Sequence, residues 1–204
     1  MVGEPIMQKP SIYWAGGEYR TKCVIGLERD GVVNKKLDGY CTSVADFEPI
    51  PGSLEAVAKM RSLGHKIVFV SDQGCIEQGL CTQETVEAIN GHLLQLLGEA
   101  GCRDIDMMYY SAGTQKKDPY VKPNVGMFKR CEKEFKDIKF NQGYYVGHTI
   151  KDLKAAVNMG AIPVLVRTGL GAKTEQELSR YSNREVKNKV KVFDDLASFV
   201  ASLE

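Results

Sequence analysis

The sequence has no C-x-x-C pair, although it carries six cysteines. Cys23, Cys41, Cys75, Cys81, Cys102 and Cys131 stand apart, and none has a histidine at metal-ligand spacing. That excludes the compact zinc and dithiol motifs and leaves free thiols, as expected in the cytoplasm or another reducing intracellular compartment. No run of 18 apolar residues exists, so no membrane span is expected. The net charge is only +1, which argues against nucleic acid as a partner. Residues 1–20 hold two acids and no apolar stretch, so they read as neither signal nor transit peptide. Repeats and low-complexity segments are also missing.

What is present is an ordinary globular composition, 43% hydrophobic and 26% charged over 204 residues. A chain of this length buries roughly 70% of its unfolded surface and needs no staple. The expected organisation is an N-terminal arm over 1–21 and a single domain over 22–204. The aromatics Tyr13, Trp14 and Tyr19 are expected to pack the arm onto that domain.

Short apolar runs alternate with amphipathic ones. Strands are expected at 22–28, 66–71, 106–111, 143–147 and 161–166, with a short one near the end. Helices are expected at 53–63, 82–100 with Thr82 as N-cap, 124–135, 151–160 and at the C-terminus. The polar stretch 167–189 reads as a mobile loop with an irregular helix, or as a solvated face. Near-continuous apolar strands alternating with helices mean an α/β, doubly wound, three-layer sandwich around a central parallel sheet.

Functional groups in such folds gather at the carboxyl ends of the strands. The first strand ends at Glu28-Arg29-Asp30 and the second at Ser71-Asp72-Gln73-Gly74. The loop after the third delivers Lys122-Pro123. The fourth ends at Gly147-His148-Thr149, with Asp152 just beyond. Ser71 or Asp72 alone would be an ordinary cap; the whole series converging on one crevice is not.

This series resembles the haloacid dehalogenase superfamily, and within it the histidinol-phosphate and heptose-bisphosphate phosphatases. Glu28-Arg29-Asp30-Gly31-Val32-Val33-Asn34 resembles a first motif that begins with aspartate. Ser71-Asp72-Gln73 stands where that branch has Thr-Asn-Gln. Lys122-Pro123 matches the third motif. "GHTIKDLKAA" matches a fourth motif with aspartate at the positions of His148 and Asp152. The resemblance implies strand order 5-4-1-2-3, the strand at 22–28 central, and a minimal cap. It also implies a nucleophile at Glu28 and a general acid and base at Asp30. Ser71 and Lys122 would hold the phosphoryl oxygens, and Glu28, His148 and Asp152 would stand around Mg²⁺.

The departures fall on that chemistry. Glu28 is one methylene longer than aspartate, about 1.5 Å along the chain. A displacement near 1 Å can cost about a hundredfold in rate. His148 puts imidazole, a poor Mg²⁺ ligand, in place of a carboxylate. The zinc loop common in the branch is replaced by "SAGTQKKDPYV", without cysteine or histidine.

The expectation is therefore a pseudophosphatase that keeps a phosphate-binding crevice and acts in binding or assembly. No cofactor is expected: Mg²⁺ weakly if at all, and no structural zinc. The alternative is a metal-dependent phosphatase for a small phosphorylated metabolite, of the histidinol phosphate or sugar phosphate type. In that case Glu28, His148 and Asp152 would offer a mixed N/O set for Zn²⁺ or Mn²⁺. The expected partner is a phosphorylated small molecule or a protein.

Overall fold

The computed structural model describes residues 6–8, 22–102, 104–180 and 184–204. Among the described residues seven strands form one sheet: β1 (Ile6–Gln8), β2 (Val24–Leu27), β3 (Lys66–Asp72), β4 (Met107–Ser111), β5 (Tyr144–Gly147), β6 (Ile162–Val166) and β7 (Lys191–Phe193). Their order is β1-β4-β3-β2-β5-β6-β7. Every pairing is parallel except β1 with β4, which is antiparallel. The strand expected at 22–28 is central, and the five-strand order implied by the resemblance is found. Tyr13, Trp14 and Tyr19 lie outside the described residues.

All four residues of β2 are buried, the signature of a strand covered on both faces. Its side chains alternate between two cores. Ile25 and Leu27 join Ile67 and Phe69 of β3 on one face. There they meet α1 (Ser53–Ser62), α2 (Gln83–Glu99) and, nearer the end, α7 (Leu196–Ala201), through Val57, Leu93 and Phe199. Val24 joins Val68 and Val70 on the other face, against α3 (Gly126–Glu134) and α4 (Ile150–Asn158), through Phe128 and Ala156. Each fully buried Val, Leu, Ile or Phe contributes about 1.5–3 kcal/mol, and this repeated burial sets the strand register.

Helix ends follow local chemistry. Thr82 accepts the Thr85 N–H at 3.2 Å and caps α2. Asp195 and Ser198 form a capping box on α7.

The reading of 167–189 as a mobile loop with an irregular helix is corrected. Two helices occupy it, α5 (Gly171–Arg180) and α6 (Arg184–Lys189). Leu178 and Val186 are buried against Leu153 and Leu165, so two apolar contacts dock a charge-rich segment. The connections above the strand ends, 28–52 and 112–125, carry one short 3-10 turn (Val44–Asp46) and no further helix, and make a minimal cap. Among the described residues no helix is long and apolar enough to cross a membrane. All six cysteines are free thiols.

Candidate functional site

The floor of the site starts where β2 stops. Glu28 donates its N–H to Val146 O at 3.0 Å, so the sheet ladder still holds it. Arg29 turns inward and is 1% exposed. Its guanidinium donates to Asp30 Oδ2 at 2.8 Å, to Asn90 Oδ1 at 2.9 Å and to Gln73 Oε1 at 2.9 Å. Asp30 also accepts from Asn34 Nδ2 at 2.7 Å and from Gln73 Nε2 at 3.2 Å. Burial alone would raise the Asp30 carboxyl; Arg29 and these hydrogen bonds outweigh it and hold the group below its usual range.

Lys122 is the hub of the other half. Its ammonium is fully buried and donates to Glu28 Oε2, to Asp152 Oδ1 at 2.7 Å and to Tyr145 Oη at 2.9 Å. Tyr145 Oη in turn donates a hydrogen bond to Val70 O at 2.6 Å. Burial lowers the Lys122 pKa against the pull of Asp152. Asp152 Oδ2 caps α4, accepting from Thr149 Oγ1 at 2.7 Å, Thr149 N at 3.0 Å and His148 N at 3.2 Å. Burial opposes its ionisation, but Lys122, the field of His148 and these bonds hold Asp152 well below the carboxylate range.

His148 is buried between two glycines. A Cβ on Gly31 would fall 2.6 Å from the ring, and one on Gly169 2.7 Å from Nδ1. Gly31 has φ +86°, a conformation glycine takes at little cost. Nδ1 accepts the Leu170 N–H at 3.0 Å, which places the ring proton on Nε2. Burial is the main reason the His148 pKa is lowered; Lys122 adds to it and Asp152 opposes it.

Glu28, Asp30, Asp72, Lys122, His148 and Asp152 line one crevice of about 450 Å³, with Lys35, Lys36 and Lys151 also on its wall. Ser71 differs from expectation. It is buried, its hydroxyl takes the Gln73 amide at 3.2 Å, and its neighbour Asp72 lines the wall instead. Alternation along β3 explains this, because successive side chains point to opposite faces.

Sequence reasoning missed Tyr145, which sits in a strand read only as apolar. It also missed the cradle of Gly169 and Leu170, which lies in the segment read as loop.

The comparisons with known proteins agree with this geometry. The D-glycero-beta-D-manno-heptose-1,7-bisphosphate 7-phosphatase of Pseudomonas putida is 32% identical over 177 residues, 87% of this chain and 97% of that one. The chain belongs to the haloacid dehalogenase superfamily, in its heptose-bisphosphate phosphatase-like branch. A family model described as polynucleotide kinase 3 phosphatase matches residues 32–161. The crystal structure of D,D-heptose 1,7-bisphosphate phosphatase from B. bronchiseptica, complexed with magnesium and phosphate, superposes with TM-score 0.79 at 29% identity. It covers 89% of this chain and 97% of that one. The corresponding enzyme from Burkholderia thailandensis gives TM-score 0.66 at 28% identity, covering 89% and 98%.

Magnesium in that superfamily member sets a test for the residues here. Mg²⁺ demands oxygen ligands in near-octahedral geometry at about 2.0–2.1 Å. Both oxygens of Asp152 are engaged, one by Lys122 and one by the cap of α4. Glu28 Oε1 takes the Arg29 N–H at 3.1 Å, and Oε2 takes Lys122. The third member, His148, presents a protonated nitrogen. Among the described residues no group of three or more His, Cys, Asp or Glu could hold a metal ion. As arranged, these side chains do not fit Mg²⁺.

Proposed function

We propose that this protein acts on a small phosphorylated metabolite as a phosphoric monoester hydrolase, with sugar phosphates and histidinol phosphate as the substrate classes. The observation that carries the reading is the convergence of Glu28, Asp30 and Lys122 on one crevice. The names of the relatives, phosphatases of a phosphorylated heptose, weigh the same way and against a wholly lost activity.

In this reading Glu28 Oε2 attacks phosphorus as the ester P–O bond breaks, giving a glutamyl phosphate and an alcohol. Asp30 rests ionised, so a substrate monoanion brings the proton, which passes through Asp30 to the leaving oxygen. Asp30 then takes a proton from the water that splits the glutamyl phosphate, which restores Glu28, and returns it to the departing phosphate, so that Asp30 is ionised again. Lys122 stays in place and offsets the charge that develops on the phosphoryl oxygens.

A second reading, a pseudophosphatase that binds without turnover, is favoured by the ammonium of Lys122 bridging Glu28 and Asp152. One experiment separates the two. Phosphate release is followed from a panel of sugar phosphates and histidinol phosphate, with and without Mg²⁺ or Mn²⁺, for the native chain and for Glu28→Gln. Release that Glu28→Gln abolishes establishes the hydrolase. No release from any member, together with thermal stabilisation by phosphate, leaves the binding protein.

A further inference from the structure

Asp72 is unused by that chemistry, yet it ends β3 and lines the same crevice. Its side chain is 16% exposed. It accepts the Lys122 N–H at 3.2 Å, and Oδ2 lies 3.6 Å from Lys151 Nζ on the first turn of α4. The other groups facing it are Asp152 from α4 and the Tyr145 phenol from β5; Glu28 and His148 line the same crevice. Lys35 and Lys36 line the same crevice from the loop after β2, and Lys151, which faces Asp72, has its side chain 56% accessible.

We propose that Asp72 is a specificity-determining residue that makes the crevice accept a tetrahedral dianion only together with a proton. As the neutral acid it donates a hydrogen bond to an anion oxygen. As the carboxylate it repels the same oxygen across a poorly solvated wall. Burial pushes the Asp72 carboxyl up to about 7, with Asp152 reinforcing the rise and Lys151 opposing it, so the change falls at neutral pH. The inference rests on the crevice being the phosphoryl site.

The test measures sulfate affinity by calorimetry across neutral pH, because sulfate keeps its double charge there while phosphate does not. For the native chain, affinity should fall as pH rises through about 7, by up to about tenfold per unit above it, the limit for one linked proton. Asp72→Asn keeps both an acceptor for the Lys122 N–H and a donor for the anion. It should bind sulfate with no step near pH 7 and more tightly than the native chain at about pH 8. Lys151→Met should move the step to higher pH, a readout that does not depend on how Asp72→Asn folds. A flat native profile, or a step that survives in Asp72→Asn, or one that Lys151→Met leaves in place, would overturn the assignment while leaving the phosphoryl crevice standing. No sulfate binding at any pH by the native chain and Asp72→Asn alike would overturn both.

Discussion

The imidazole of His148 lies against Gly31, so close that a Cβ on that glycine would fall 2.6 Å from the ring. This contact joins the loop after β2 to the end of β5, in the crevice that Glu28 also lines. Gly31→Ala should cost about 1–3 kcal/mol from the left-handed backbone alone, with the clash added. Gly31→Ala combined with His148→Ala should recover the clash but not the backbone cost. Denaturant unfolding checks both, and a Gly31→Ala chain as stable as the native one would show that the loop relaxes freely.

Lys122→Met should be among the most damaging single changes. It leaves Glu28 and Asp152 buried without their cation, a loss of about 3–5 kcal/mol at neutral pH. The deficit relative to the native chain should shrink toward about pH 4, where the abandoned carboxyls can take up protons. Urea midpoints at several pH values give the comparison; a constant deficit would mean the pair matters for packing rather than charge.

Acid should unfold the native chain through Asp30 and Asp152. Both pKa values are lowered from 3.8 in the folded state, so their contribution is fully present above that value. It is lost as pH falls below 3.8 toward the folded values. Replacing Asp152 with Asn should flatten that limb of the stability profile. An unchanged acid limb would place the linkage elsewhere.

A Mg²⁺ site should reappear only when two positions change together. Glu28→Asp alone leaves imidazole in the way, and His148→Asp alone leaves Glu28 too long. The double variant should gain more MgCl₂-dependent thermal stabilisation than the two singles summed, since both changes act on one ion. Strictly additive shifts would show that the positions do not share it.

Tyr145→Phe should cost about 1–3 kcal/mol, because Val70 O loses its donor and Lys122 loses an acceptor inside the core. Thermal unfolding reads this directly. A neutral outcome would mean water replaces the hydroxyl.

The central strands and the identity of their terminal residues were legible in the chain itself, while their order followed from the resemblance. Unbroken apolar runs such as Val24–Leu27 can be covered only on both faces, and turn signals after each run place Glu28, Lys122 and His148 on one side. Thr82 marked a helix start for a local reason that needs no distant partner. Other features depended on contacts distant in sequence. Leu178 and Val186 turned a charged stretch into two docked helices because Leu153 and Leu165 were there to receive them. Pleat direction on β3 put Asp72 rather than Ser71 on the crevice wall. The pairing of Lys122 with Glu28 and Asp152, the support from Tyr145 and the glycine cradle of His148 were decided by the tertiary structure. Charge, burial and close approach belong to the space between elements, and no local pattern of residues encodes that space.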